Sequence, residues 1–389
     1  FVFRNLLMHM PLHLHSELGR LKFLAQSSKS NIIPKDYILI LGDSYAEGLG
    51  DWRLSIDENA NPKFTSGHVL HDLSGRDVLG FGVRGGHPSF AYVTNLTRSF
   101  SGLNLYWGLD VEPPKDVVAF FFGGNDVNDE MFSLGYHYKN SVRDINRLYD
   151  EKYYKAYINE LGDLGTQKSL SRWHFLRNAL MFDTMTKLVK FNYRLYQRNQ
   201  LFNSRRGYRA ASLQAKNTVN AVLIRGQSTP YPDATVEPFA FHSADQIKKA
   251  GYVFKHSLAY TKSYFPKAKI WLVYIPAVAT SYDHAKGKVV LRDRIRFIDT
   301  EKPGPRKSFT NAEIRGQSNK ICKAIYEESQ KLGVNFIDSR LAIRKAAGEI
   351  GPIHGPNDWG HFNKKGYTIL AETIYLNMQD FKDRGCRLN

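Results

Sequence analysis

The sequence predicts an α/β protein whose core is a parallel sheet covered by helices on both faces. Three observations carry this. Short apolar runs occur at 36–41, 77–81, 116–122, 269–275 and 334–337, and they are continuous rather than alternating, as in strands buried on both faces. The connections between them are long enough to cross over between parallel strands. Strands therefore alternate with helical stretches, the pattern of a parallel sheet. Five strands with long crossovers suit a three-layer α/β/α sandwich of flavodoxin-like type, here with a helical insertion. A chain of 389 residues can bury a large core.

Residues 1–30 form an amphipathic, His-containing lead-in without a strand signal, and the first part of the core spans 31–129. The run 36–41 stops abruptly at Gly42-Asp43-Ser44, and 77–81 stops at Gly82. Pro113-Pro114 marks the loop before the third strand. From 130 to 214 the chain is helical, aromatic and basic, with Tyr153, Tyr154, Trp173, Phe175, Phe191, Tyr193 and Tyr196 prominent. Leu176, Leu180, Met181, Leu188 and Leu195 recur there at helical spacings. Packing on the core accounts for most of these side chains. The segment also leaves the core directly after Asn125, which suits a lid.

Residues 228–238, with three prolines, read as a linker that closes an insertion spanning 130–239. The second part of the core, 240–389, opens with a helix over 244–264 that ends at Phe265-Pro266. Strand 269–275 stops at Pro276, and 282–305 reads as basic and irregular, with Pro303-Gly304-Pro305 as a breaker. Thr310-Asn311-Ala312-Glu313 is a capping box opening a helix that runs to Leu332 and stops at Gly333. A last strand at 334–337 and a closing helix at 366–376 complete the chain.

The formal net charge of +17 has two explanations, attraction to an anionic partner and plain solubility. Basic and acidic residues interleave, and no nucleic-acid motif accompanies them, which argues against nucleic acid as a partner. Arg205, Arg206 and Arg209 cluster near the end of the insertion, either as a solvated loop or as contacts to an anionic substrate. His9, His13 and His15 lack neighbouring ligands and read as solvated. Two cysteines are too few for a zinc site or a disulfide framework. Cys322 reads as a small buried residue of a helix, or as the partner of Cys386 if the protein is exported. No run reaches the ~18 apolar residues of a membrane span. The chain opens on Phe1 rather than Met, so 1–7 is either the tail of a removed signal or membrane anchor or a cut end. An extracytoplasmic location, secreted or periplasmic, is expected, with membrane proximity through such an anchor.

Four blocks carry the chemistry. Leu41-Gly42-Asp43-Ser44 delivers a serine to the carboxyl edge of a strand. Gly82-Val83-Arg84-Gly85-Gly86 follows the second strand, Gly123-Gly124-Asn125-Asp126 the third, and Asp358-Trp359-Gly360-His361 precedes the last helix. Ser, Gly, Asn and His in this chain order resemble the SGNH, or GDSL-type, serine hydrolases. Tyr45 stands where Leu is common, and Gly80 where Asn is frequent. The likeness covers roughly 36–126 and 240–380 and implies the strand order 2-1-3-4-5.

A serine hydroxyl is a poor nucleophile at neutral pH and needs an adjacent base. His361, in a polar loop, is the candidate, with Asp358 three residues earlier to fix its tautomer. Attack on an acyl carbon creates an oxyanion, which needs preorganised donors. The resemblance assigns these to the backbone N–H groups of Ser44 and Gly82 and the side-chain amide of Asn125. Asp126, Asn128 and Asp129 are expected to hold the Asn125 loop, and Arg84 and His87 to border the cleft. This chemistry calls for no cofactor and no metal; a ligand set of His354, Asp358 and His361 is the alternative. The nucleophile elbow Gly-x-Ser-x-Gly of the α/β-hydrolases is absent.

The leading expectation is a serine esterase acting on an acylated small molecule or polysaccharide, with a carbohydrate O-acetyl ester the best fit. An acyltransferase using the same site is an alternative. A non-catalytic module binding an acidic glycan is a third, disfavoured because Ser44, Asn125, Asp358 and His361 are all present.

Overall fold

The computed structural model describes residues 26, 28–50, 65–106, 109–138, 143–170, 219–296, 301–356 and 358–386. In chain order, β1 (Ile38–Leu41) leads into a short helix α1 (Ser44–Glu47), followed by α2 (Ser66–Ser74), β2 (Val78–Gly80) and α3 (Asn95–Ser101). Next come β3 (Asp116–Phe122), α4 (Asp126–Ser133) and α5 (Glu151–Leu170). The hairpin β4 (Asn220–Ile224) and β5 (Gln227–Tyr231) precedes β6 (Thr235–Val236), α6 (Ala244–Tyr264) and β7 (Lys269–Ile275). Strands β8 (Lys288–Arg296) and β9 (Glu301–Thr310) lead to α7 (Asn311–Gln330), β10 (Asn335–Asp338), α8 (Arg340–Ile350) and α9 (Lys364–Gln379).

Five strands form one parallel sheet in the order β10-β7-β3-β1-β2. Counted along the chain, that is 2-1-3-4-5. Every residue of β1 and β3, and all of β7 except Lys269, is buried. Both faces are therefore covered, which explains the unbroken apolar runs. Helices α2 and α9 pack together, as do α6 and α7. At the amino end of the sheet the buried Trp271 donates its indole N–H to Asp116 at 2.8 Å. Two helices open with reciprocal capping boxes, Ser243 with Gln246 and Thr310 with Glu313.

Outside this sheet the structure departs from the sequence reading. Residues 228–238 are not a plain linker. They contain all but the first residue of β5, which pairs antiparallel with β4 across a turn at Arg225 and Gly226, both with positive φ. They also contain β6, which pairs parallel with β8. Likewise 282–305 is not irregular: β8 and β9 form a long antiparallel pair in the three-stranded sheet β6-β8-β9. Prolines 230, 303 and 305 hid these strands. They sit on strands paired on one side, where a missing donor is tolerated. Helix α8 was not anticipated.

Tyr154, Tyr157 and Ile158 of α5 join a second apolar cluster with Val253 of α6, so this part of the insertion packs on the core. Trp173, Phe175, the leucine series from Leu176 to Leu195, Arg205, Arg206, Arg209 and the histidines of the lead-in lie outside the described residues. Cys322 and Cys386 form a disulfide, so α7 is tied to the C-terminal tail.

Candidate active site

The site lies at the carboxyl ends of β1 and β3, where the course of the chain across the sheet reverses and α/β proteins leave a ligand crevice. At the end of β1, Gly42 adopts φ +147, and a Cβ there would press on Phe120. Only glycine makes this turn without strain. Asp43 then caps α1 by accepting the Tyr45 N–H at 2.9 Å, which places Ser44 as the first helical residue.

His361 comes to Ser44 from the loop before α9. Its Nε2 lies 2.9 Å from Ser44 Oγ, and its Nδ1 lies 2.7 Å from Asp358 Oδ2. Asp358 is itself oriented, because its other oxygen accepts the Gly360 N–H at 2.9 Å. With a proton on Nδ1 facing Asp358, Nε2 is free of hydrogen and accepts the serine proton. The row can thus move a proton off Ser44 while the carboxylate stabilises the imidazolium that forms.

Tyr45 fastens the two loops together. Fully buried, it donates its hydroxyl to the Gly360 carbonyl at 3.0 Å and packs against Phe122, Phe362 and the His361 ring. Burial holds its phenol well above the usual tyrosine range, so it remains a donor. Asn125 ends the turn after β3. Its Nδ2 donates to Asp129 at 2.8 Å, and Asp126 reaches back to accept the Phe122 N–H at 2.8 Å. Asp126, Asp129 and Asn128 therefore hold the turn, as the sequence indicates.

A cavity of about 590 Å³ brings Ser44, Asn125 and His361 together with Glu237, Arg292 and Asp293. Ligand pockets commonly span ~300–1,000 Å³. Burial pushes the Glu237 carboxyl up to about 8, against the pull of the backbone N–H groups of Ala279 and Val278. Burial also raises Asp43, to about 6, while the Tyr45 N–H and nearby His361 pull it down.

Other predicted residues fall differently. Gly82 lies against the backbone of Ala46 and Glu47, where any Cβ would collide, and it does not line the cavity. Arg84 and His87 do not border the cleft. Arg84 binds Glu47 through its backbone N–H at 2.9 Å and its guanidinium at 3.4 Å, and His87 Nδ1 lies 2.9 Å from Ser89 Oγ. His354 is buried and receives the Tyr282 hydroxyl at Nδ1, 2.9 Å away. Burial, reinforced by His361, lowers its imidazole to about 3. His354, Asp358 and His361 do not converge on one point; among the described residues only Cys322, Asp338 and Cys386 do, and both sulfurs are spent in the disulfide.

No family model, curated protein or solved structure matches the chain. The residues in the cleft therefore carry the functional argument alone. Sequence reasoning missed Tyr45, Glu237, Arg292 and Asp293 as parts of the site. The aromatic beside Ser44 was a usable signal for the first. The other three sit on β6, on β8 or just beyond them, in segments whose strands went unread.

Proposed function

We propose that this protein is a serine esterase of the SGNH type, with Ser44 as nucleophile, His361 as general base and acid, and Asp358 as the orienting carboxylate. One observation carries the proposal: residues 317 positions apart meet so that Ser44 Oγ, His361 and Asp358 form a continuous hydrogen-bonded row inside an open cleft. Ser44 attacks the acyl carbon and passes its proton to His361 Nε2. His361 returns that proton to the leaving alcohol, and the acyl group stays on Oγ. Water, deprotonated by His361, then attacks the acyl carbon; the bond to Oγ breaks, Ser44 regains its proton from His361, and the acid is released. The Asn125 amide, lining the same cleft, supplies a neutral donor for the oxyanion, with the N–H of Ser44 as its partner in that role.

The strand order 2-1-3-4-5 supports a flavodoxin-like three-layer sandwich, with the site at its switch point. A carbohydrate O-acetyl ester is the proposed substrate type, because the cleft wall mixes polar and charged side chains with a few apolar ones. Ser44→Ala should abolish hydrolysis of 4-nitrophenyl acetate, and a fluorophosphonate probe should label wild type at Ser44 alone. Labelling of a different serine, or undiminished turnover by the variant, would refute the mechanism.

A further inference from the structure

One wall of the cleft is built where the pairing of β8 with β9 is irregular. Register between β8 and β9 shifts between Arg292 and Arg294: Gly304 and Pro305 of β9 together oppose Asp293 alone, so β9 carries the bulge. In a regular strand neighbouring residues face opposite sides, but a bulge can re-aim them. Here both Arg292 and Asp293 line the cavity that holds Ser44 and His361. Within the bulge Gly304 lies close against β8, where a Cβ would strike the Asp293 carbonyl.

Arg292 Nε is buried and has no hydrogen-bond partner. Arg292 also makes no ion pair with another described residue. Its cross-strand neighbour Arg306 is exposed and directs its own charge to Asp233, at 3.3 Å. A buried guanidinium N–H without an acceptor is unfavourable, and the open side of Arg292 is the cleft. A planar cation in that position suits a carboxylate, which its N–H groups match two at a time. Asp293 beside it can accept from hydroxyl groups.

We infer that Arg292 is a substrate-binding residue that holds a carboxylate of the acylated ligand, so that the preferred substrate is an O-acetylated acidic sugar rather than a neutral one. The reaction it serves rests on the esterase reading; the binding role of Arg292 does not. The net charge of +17 favours the approach of such a polyanion over longer range.

The test compares acetate release from O-acetylated trigalacturonate and from its neutral methyl-esterified form. Wild type should prefer the acid form. Arg292→Gln should cut the acid-to-neutral ratio of kcat/KM at least tenfold, mainly through KM, while Arg292→Lys should retain part of it. Arg306→Gln, which removes the same charge from an exposed position of the same hairpin, should leave the ratio in place. No preference in wild type, an unchanged ratio in Arg292→Gln, or an equal loss in Arg306→Gln would each overturn the inference. A calorimetric arm measures binding of unacetylated trigalacturonate to Ser44→Ala with and without Arg292→Gln. At least tenfold weaker binding in the double variant supports the role of Arg292 even if no ester is ever cleaved. No binding to Ser44→Ala, or equal binding to both, overturns it.

Discussion

The bond between Tyr45 and the Gly360 carbonyl makes a quantitative prediction about alignment. Tyr45→Phe removes one hydroxyl and keeps the ring, so contacts with Phe122 and Phe362, at centroid separations of 4.3 and 5.0 Å, should survive. The lost hydrogen bond, 3.0 Å long and partly buried, is worth about 0.5–1.5 kcal/mol, or up to about 3 kcal/mol if the carbonyl stays unsatisfied. Unfolding entropy for a chain of 389 residues is roughly 0.8 kcal/mol per kelvin at ~2 cal/mol/K per residue, so a loss of 1–2 kcal/mol lowers Tm by about 1–3 °C. The catalytic effect should be the more telling one. Gly360 precedes His361, and a bond worth about 1.4 kcal/mol in favour of the aligned loop corresponds to roughly tenfold in kcat. Fluorophosphonate labelling reads this directly, since it needs Ser44 and His361 aligned but no particular substrate. Tyr45→Phe should label roughly tenfold more slowly with KM for aryl acetate little changed, and Tyr45→Ala should in addition lose about 3–5 kcal/mol of stability. A labelling rate equal to wild type in a less stable Tyr45→Phe would show that the hydroxyl braces the fold without aligning the histidine.

Two further outcomes follow from the site. Asn125→Ala should lower kcat for 4-nitrophenyl acetate by about 10²–10³-fold, the range for losing one oxyanion donor; an effect on KM alone would make Asn125 a ground-state contact. Glu237→Gln should change how stability depends on pH. The Glu237 carboxyl lies near 8 in the folded chain against an ordinary 4.5, so between those values the unfolded chain loses a proton that the folded one keeps. Stability from this group is therefore full below about pH 4.5 and falls as pH rises towards 8. Glutamine keeps a carbonyl oxygen for the Ala279 N–H, 3.0 Å away in wild type, and cannot ionise. The Tm of the variant relative to wild type should climb from pH 5 to pH 8 and level off above; parallel curves would contradict a buried neutral acid.

The parts of the molecule that sequence made legible share a physical cause. Strands β1, β3 and β7 are buried on both faces and so read as unbroken apolar runs, and Ser44, Asn125 and Asp358-x-x-His361 sit within a few residues of such an element or of a helix start. Local sequence suffices there because the backbone delivers the side chain directly. The capping box at Thr310 was legible for the same reason, its two partners being three residues apart. Strands β5, β6, β8 and β9 lack that property. They lie in small sheets, carry prolines and charges, and acquire their conformation from partners up to about 70 residues away, as when Asn220 binds the Val290 backbone on β8.

That division has a functional consequence. The groups proposed to break and form bonds stand at the ends of β1 and β3 and in the loop before α9, while Arg292 and Asp293, proposed to choose the substrate, stand on the bulged hairpin outside the parallel sheet. The two sets meet in the cleft. Glu237 joins them physically: its N–H donates to the Arg292 carbonyl at 3.0 Å, and its carboxyl accepts the Ala279 N–H in the turn that follows β7. Under the proposed function, a substitution on the hairpin should alter specificity while the Ser44 and His361 geometry stays under the control of Tyr45 and the strand ends. For the same reason, local motifs can mark the candidate reactive groups while the residues that surround them in the cleft go unread.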